Sequence, residues 1–209
     1  EEKKKEESLE VDVGFSGLWG RIGVSGVVFY NRVDDYILEY LLTRADVNMD
    51  GKTDNVRGFR NIDYASLMGF DFDLSYALRE DLMLHGSFAY VRGENEEQDR
   101  ALAEIPPLEG IFGLRYEYAH WDAWINPMLR LVQSQHRVDT FFGEDTTQGH
   151  VTVDVSAGFQ MLDKYELKIF VSNLFDKNYS DHLTRENPFS GRDVFEPGRV
   201  VTVGFRTTF

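Results

Sequence analysis

Two-residue alternation of apolar and polar side chains, sustained over long stretches, most constrains how this chain can fold. Helical periodicity is nearly absent. Val151, Val153, Val155, Ala157 and Phe159 oppose Thr152, Asp154, Ser156, Gly158 and Gln160. Phe70, Phe72, Leu74, Tyr76 and Leu78 oppose Asp71, Asp73 and Ser75, and Tyr165, Leu167, Ile169 and Val171 oppose Glu166, Lys168 and Ser172. Successive side chains of a strand point to opposite faces, so such segments are one-faced strands of an antiparallel sheet. Globular strands usually have about 5–6 residues, whereas a tilted strand needs about 9–11 to cross hydrocarbon. Nine segments read as strands: 8–17, 21–41, 60–78, 81–92, 109–119, 121–137, 150–161, 164–174 and 198–209. Most are long enough to span a bilayer.

The connections alternate as well. Short turns fall at 18–21, 79–81, 120 and 162–163, and long polar loops at 42–59, 93–108, 138–149 and 175–197. All short turns then lie at one end of the meander and all long loops at the other, as in outer-membrane barrels. Trp19, Trp121, Trp124, Tyr118 and Tyr165 sit beside short turns, where a membrane interface favours aromatic rings. The fold class predicted is all-β, an antiparallel up-and-down transmembrane β-barrel. Nine strands do not make the even number of a bacterial barrel, and open edges in lipid leave backbone groups unsatisfied. The expectation is therefore that residues 1–209 form an open C-terminal portion of a larger barrel. Residue 1 and its charged run then lie in a cut outer loop.

Composition removes other classes. A net charge of −14 and a pI near 4.7 leave no basic face for nucleic acid. The lack of cysteine excludes disulfide scaffolds, zinc fingers, iron–sulfur sites and thiol catalysis. Aromatics at 14% exclude disorder as a whole. No apolar run is long enough for a membrane helix, which leaves a barrel open because its strands average to modest hydropathy. Hydrolase, phosphate-loop and dinucleotide signatures are missing, so the chain reads as a non-enzyme.

The C-terminal stretch reads Val171-Ser172-Asn173-Leu174-Phe175-Asp176-Lys177-Asn178-Tyr179, then Glu196-Pro197-Gly198-Arg199, then a strand ending at Phe209. It resembles the C-terminus of TonB-dependent outer-membrane receptors. Further similarity lies in Asn31-Arg32-Val33-Asp34-Asp35-Tyr36-Ile37, in Gly69-Phe70-Asp71 and in Ile105-Pro106-Pro107-Leu108. The resemblance covers essentially the whole chain. It implies a 22-stranded barrel in a Gram-negative outer membrane, with an N-terminal plug absent from this sequence. It implies import of a scarce metal complex, with energy from TonB. The implied partners are outer-membrane lipid and lipopolysaccharide, the plug, the TonB complex, the barrel-assembly machinery and a metal-chelate ligand. Ferric siderophores are the commoner cargo of the family. The wording of Val91-Arg92-Gly93-Glu94-Asn95 and Asp181-His182-Leu183 is nearest the copper-receptor branch. The alternatives are a passive porin-like barrel and a soluble all-β ligand-binding domain.

Candidate functional residues follow. Asp46, Asn48, Asp50 and Asp54, with Gly51 at the sharp turn, have the spacing that opens a calcium loop. The closing glutamate is replaced by Arg57, so structural Ca2+ competes with an acidic hairpin tip; no other cofactor is expected. Arg92, His136, His150 and His182 are candidates to face a ligand from the outer loops. Asp71, Asp73, Arg115, Glu117, Asp154, Glu166, Lys168 and Arg206 are inward candidates to touch a plug or lumen water. Phe205 and Phe209 resemble the terminal signal read by barrel-assembly machinery.

Overall fold

A computed structural model describes residues 3–46, 49, 51, 54–162, 164–184 and 194–207. Its strands are β1 (Glu7–Trp19), β2 (Ile22–Asp34), β3 (Ile37–Ala45), β4 (Asp54–Asn61), β5 (Tyr64–Arg79), β6 (Leu82–Asn95), β7 (Arg100–Ala101), β8 (Glu109–Tyr118), β9 (Ala123–Val132), β10 (His150–Met161), β11 (Tyr165–Ser172) and β12 (Val200–Thr207). Among the described residues, nine strands run as one antiparallel path, β1-β2-β5-β6-β8-β9-β10-β11-β12. β7 extends the edge of β6, and β3 and β4 form a separate two-stranded sheet.

The ladder keeps the predicted alternation in register across strands. Val13 faces Val28, Val28 faces Phe70, and Phe70 faces Tyr90. Farther along, Phe112 faces Leu129, which faces Val153, and Val155 faces Val171, which faces Val201. One face of the sheet is therefore continuously apolar, and it is open: Val13 is 68% and Phe205 67% exposed. A contiguous apolar face this wide is stable only against a partner, and lipid suits it. Rings brace it, with Phe72 6.5 Å from Phe88 and Phe88 5.1 Å from Phe112. The opposite row reads Ser16, Ser25, Asp73, Ser87, Ile111, Arg130 and Thr152 across seven strands. This row, polar but for Ile111, belongs to the inward face.

The short turns use the residues that positive φ demands. Gly20 has φ of 61° between β1 and β2, and Asp122 has φ of 46° after a single 3-10 turn, Ala119–Trp121. Trp19 and Trp121 are well exposed near this end, whereas Trp124 lies inward over Gly158, not in an interfacial belt.

Two of the predicted strands are each divided. The segment 21–41 breaks at Asp35, in the left-handed region at φ 52°, so β2 ends and β3 begins. The segment 60–78 divides between β4 and β5. The stretch 42–59, read as a loop, lies largely in the β3–β4 hairpin. The run Asp34-Asp35-Tyr36-Ile37-Leu38 interrupts the alternation at the first break, but polarity alone does not say that the chain leaves one sheet for another. The backbone bonds from Asp35 N–H to the Asp63 carbonyl (3.0 Å) and from Ile62 N–H to the Tyr36 carbonyl (2.9 Å) close the base of the hairpin. Leu38, Ile62, Ala65 and Leu102 form a buried cluster there, packed by Tyr36, Leu67 and Ile105. The buried apolar core of this chain thus sits under the long loops rather than within the sheet.

Candidate functional site

The end that carries the long connections is a network of interlocked segments, built from one cation, one carboxylate and one amide. Arg130 stands on the inward row of β9. Its Nε donates to Glu109 Oε1 (3.0 Å) and its Nη2 to Glu109 Oε2 (2.8 Å), a bidentate fork across neighbouring strands. Its Nη1 and Nη2 also reach both oxygens of Asp181 at 3.3 and 3.2 Å. Asp181 follows β11 in the long loop, so this pair draws that loop over the lumen side. His150 Nε2 lies 3.3 Å from both Arg130 Nη1 and Asp181 Oδ1, and its ring stacks on Tyr179 at 4.2 Å. Burial pushes the Tyr179 phenol above its ordinary pKa, with the Asp181 charge adding to it.

The carboxylate is Glu144, whose side chain is 9% exposed. Its Oε1 accepts the backbone N–H of Glu104 (2.8 Å) and its Oε2 that of Asp139 (2.9 Å). His182 Nε2 lies 3.0 Å from Oε1, and His182 Nδ1 is 3.0 Å from the Thr147 hydroxyl. One side chain therefore joins the 93–108 loop, its own loop and the loop after β11. Burial pushes the Glu144 carboxyl up, but His182 and the two backbone N–H groups outweigh it and hold it below the ordinary carboxylate value. The β3–β4 hairpin joins the same assembly. Leu41 N–H donates to the Phe141 carbonyl (3.2 Å), Arg57 lies 4.1 Å over the Phe142 ring and Arg100 3.9 Å over the Phe141 ring.

The amide explains the motif on which the family resemblance rests. Asn173 takes φ of 48° and is 3% exposed. Its Nδ2 donates to the Lys177 carbonyl (2.8 Å) and its Oδ1 accepts the Lys177 N–H (2.8 Å). Its backbone N–H donates to Asp154 Oδ1 (2.7 Å). Asp176 Oδ1 accepts the Arg199 N–H (2.8 Å), and a Cβ at Gly198 would fall 2.4 Å from that oxygen. The Asn-Leu-Phe-Asp and Pro-Gly-Arg runs are thus two halves of one backbone clamp that spans the loop between β11 and β12.

The predicted site residues separate. His150 and His182 join the loop network through Asp181 and Glu144. His136 is exposed beside Arg137. Arg92 lies in the register row of the apolar face, beyond Phe88 and Tyr90, and pairs with Glu94 rather than facing the lumen. Among the described residues no three His, Asp or Glu side chains converge as a metal site. Asn48 and Asp50 of the calcium-type spacing lie outside the described residues, and so does Phe209. Asp54 opens β4, and Asp46 Oδ2 accepts the Gly51 N–H (2.9 Å) in an acidic turn. Phe205 stands on the apolar face of β12, stacked on Tyr165 at 6.0 Å. Arg130, Glu109 and Glu144 escaped the reading of the sequence. Alternation alone marks Arg130 as an inward cation in mid-strand, but only pairing reveals its two carboxylates.

A family model described as TonB dependent receptor-like, beta-barrel, matches residues 4–174. The copper transporter OprC shares 26% identity over 100% of this chain, with a TM-score of 0.86. The FrpB iron transporter from Neisseria meningitidis (F3-3 variant) shares 19% over 99%, with a TM-score of 0.71. The ferric yersiniabactin uptake receptor FyuA from Yersinia pestis shares 16% over 98%, with a TM-score of 0.71; these two likenesses carry the fold alone. The chain spans 32%, 31% and 30% of those three proteins. A search of curated proteins finds no match. Register, loop polarity, C-terminal clamp and family match agree, and the chain belongs to the TonB-dependent receptor β-barrel family.

Proposed function

We propose that the complete protein resides in a Gram-negative outer membrane and imports a scarce metal complex with energy from TonB. The observation that carries this reading is family membership over residues 4–174, on a sheet whose apolar face is open and whose inward face is polar. The part seen here supplies barrel wall and outer loops. A plug from the rest of the polypeptide would fill the lumen.

Copper is the cargo we favour. Its support is the whole-length fit to the copper transporter OprC, at higher identity and TM-score than the iron-complex receptors. A ferric siderophore is the second reading, supported by the several iron-complex receptors among the neighbours. The test is metal accumulation in cells that lack the gene, grown with limiting copper and, separately, with ferric siderophores. Copper uptake that falls in the deletion, and falls equally without TonB, supports the proposal. Unchanged copper with a loss of ferric-complex uptake would move the cargo to the second reading. Uptake of small solutes independent of TonB would make the chain part of a passive pore.

A further inference from the structure

The inward face carries a hollow of about 750 Å3 toward the end with the short turns. Ser16, Ser25, Ser75 and Ser87 keep it open because their side chains are small, and Asp73 and His85 line it with them. His85 stands near the start of β6. Register places Ser75, His85, Gly113 and Met128 in one row across β5, β6, β8 and β9. That row is the next inward one below Asp73, Ser87, Ile111 and Arg130.

The imidazole lies along this row toward β8. A Cβ built on Gly113 would fall 2.0 Å from His85 Nε2. The tip of the ring therefore takes the place of a side chain at 113, which only glycine permits. Gly113 directly opposes Met128, and opposed Cβ positions lie about 4.5–5.5 Å apart. Nε2 thus stands about 5 Å from the root of the Met128 side chain. Methionine is long and flexible enough to bring its sulfur across that gap. No hydrogen bond or ion pair engages His85 among the described residues. Asp73 is its diagonal neighbour, at about 7–8 Å.

Imidazole suits copper, and a thioether selects it over harder ions in its reduced form. A carboxylate close by offsets the charge of the ion. Two protein ligands, with water completing the shell, make a weak site. Weakness suits an ion in passage, which must bind well enough to enter and loosely enough to leave.

We propose that His85 Nε2 and the Met128 thioether form a transit site for copper on the inward wall, near its periplasmic end, with Asp73 as counter-charge. The proposal rests on the copper reading above and names the place where the wall touches the ion on its way through.

Crystals of the complete receptor, soaked with Cu+ kept reduced by ascorbate, test it through anomalous scattering at the copper edge. The expected result is a copper peak within bonding distance of both His85 Nε2 and the Met128 sulfur. His85→Gln and Met128→Leu should each weaken binding there by about tenfold, and the double variant should slow copper uptake by cells. His120→Gln, in the 3-10 turn, should change neither. A wild-type receptor with no copper between these two side chains overturns the proposal, a result that needs no variant to fold. A peak undiminished in Met128→Leu overturns it as well. Copper uptake unaffected by deletion of the receptor gene would instead defeat the copper reading, which separates the two failures.

Discussion

The inward wall has two halves with opposite charge economies. On β1, β2, β5 and β6 the inward rows carry Glu10, Asp12, Asp71 and Asp73 and, short of the bulge at Arg79, no lysine or arginine among the described residues. Serines and glycines fill much of the rest, and among the described residues Asp73 has only a long bond from the Ser25 hydroxyl (3.4 Å). On β8 to β12 every acid has a base beside it or a bond to accept. Glu117 pairs with Arg115 at 2.9 Å, Glu166 with Lys168 at 2.8 Å and Glu109 with Arg130 at 2.8 Å, while Asp154 holds the Asn173 N–H. Like charges that face no partner persist where water or a counter-charge covers them. The second half thus anchors loops through internal pairs. The first half presents carboxylates that meet no lysine or arginine among the described residues.

The largest effect that would break this contrast lies in the paired half. Arg130→Ala strands Glu109 and Asp181, and should destabilise the loop after β11 by about 2–3 kcal/mol, less than a fully buried pair because the arginine keeps some water. Hydrogen exchange on the complete receptor should show protection lost across 174–184 and not across β1 and β2. Uniform loss, or none, would mean that the fork does not hold the loop.

Asn173→Ala should cost about 1–2 kcal/mol, since it removes the buried amide that bonds the Lys177 N–H and carbonyl. The heat-modifiable band of the receptor should unfold at lower temperature, and Asn173→Asp should recover part of the shift because it restores the acceptor only. An unchanged unfolding temperature in Asn173→Ala would assign the clamp to the backbone alone.

Acid sharpens the comparison. The folded Glu144 carboxyl lies below its ordinary value of 4.5, so its contribution is present above that pH and is lost as pH falls through the folded value. Exchange at 139–147 should rise on acidification below about 4.5, and Glu144→Gln should abolish that dependence. A loop cap that loosens identically in the glutamine variant would move the cause to another group.

The smallest effect belongs to the acidic half. Asp12→Asn, Asp71→Asn and Asp73→Asn together should change barrel stability by less than about 1 kcal/mol. Copper uptake is the more informative readout. A fall with unchanged stability would tie this wall to a cationic cargo.

Most of the wall was legible in the sequence, because the partner of each strand lies next to it and one face of every strand is apolar. Phe70, Val153 and Val201 announce their side by alternation alone. The hairpin was not legible, since 42–59 is polar enough to read as a loop, and a single left-handed Asp35 moves the chain into a second sheet. The loop network was less legible still. Glu144 looks like any loop acid, and its three partners come from segments up to 40 residues away. The Asn173 clamp is recognisable by its wording, but its mechanism requires the positive φ and the two side-chain amide bonds to Lys177.

The central claim is that one face of these nine strands meets lipid and the other a filled lumen. These 209 residues hold no cysteine, so single cysteines can be placed at Val28, Phe72 and Val153 and at Ser25, Asp73 and Thr152 of the complete receptor once any cysteine elsewhere in the polypeptide is replaced. Spin labels there, in the native outer membrane, report collision with lipid-soluble oxygen and with a water-soluble relaxant. The account predicts high oxygen accessibility at the first three and low at the last three, alternating along each strand. Equal accessibility on both faces, or water contact at Val28 and Val153, would contradict it.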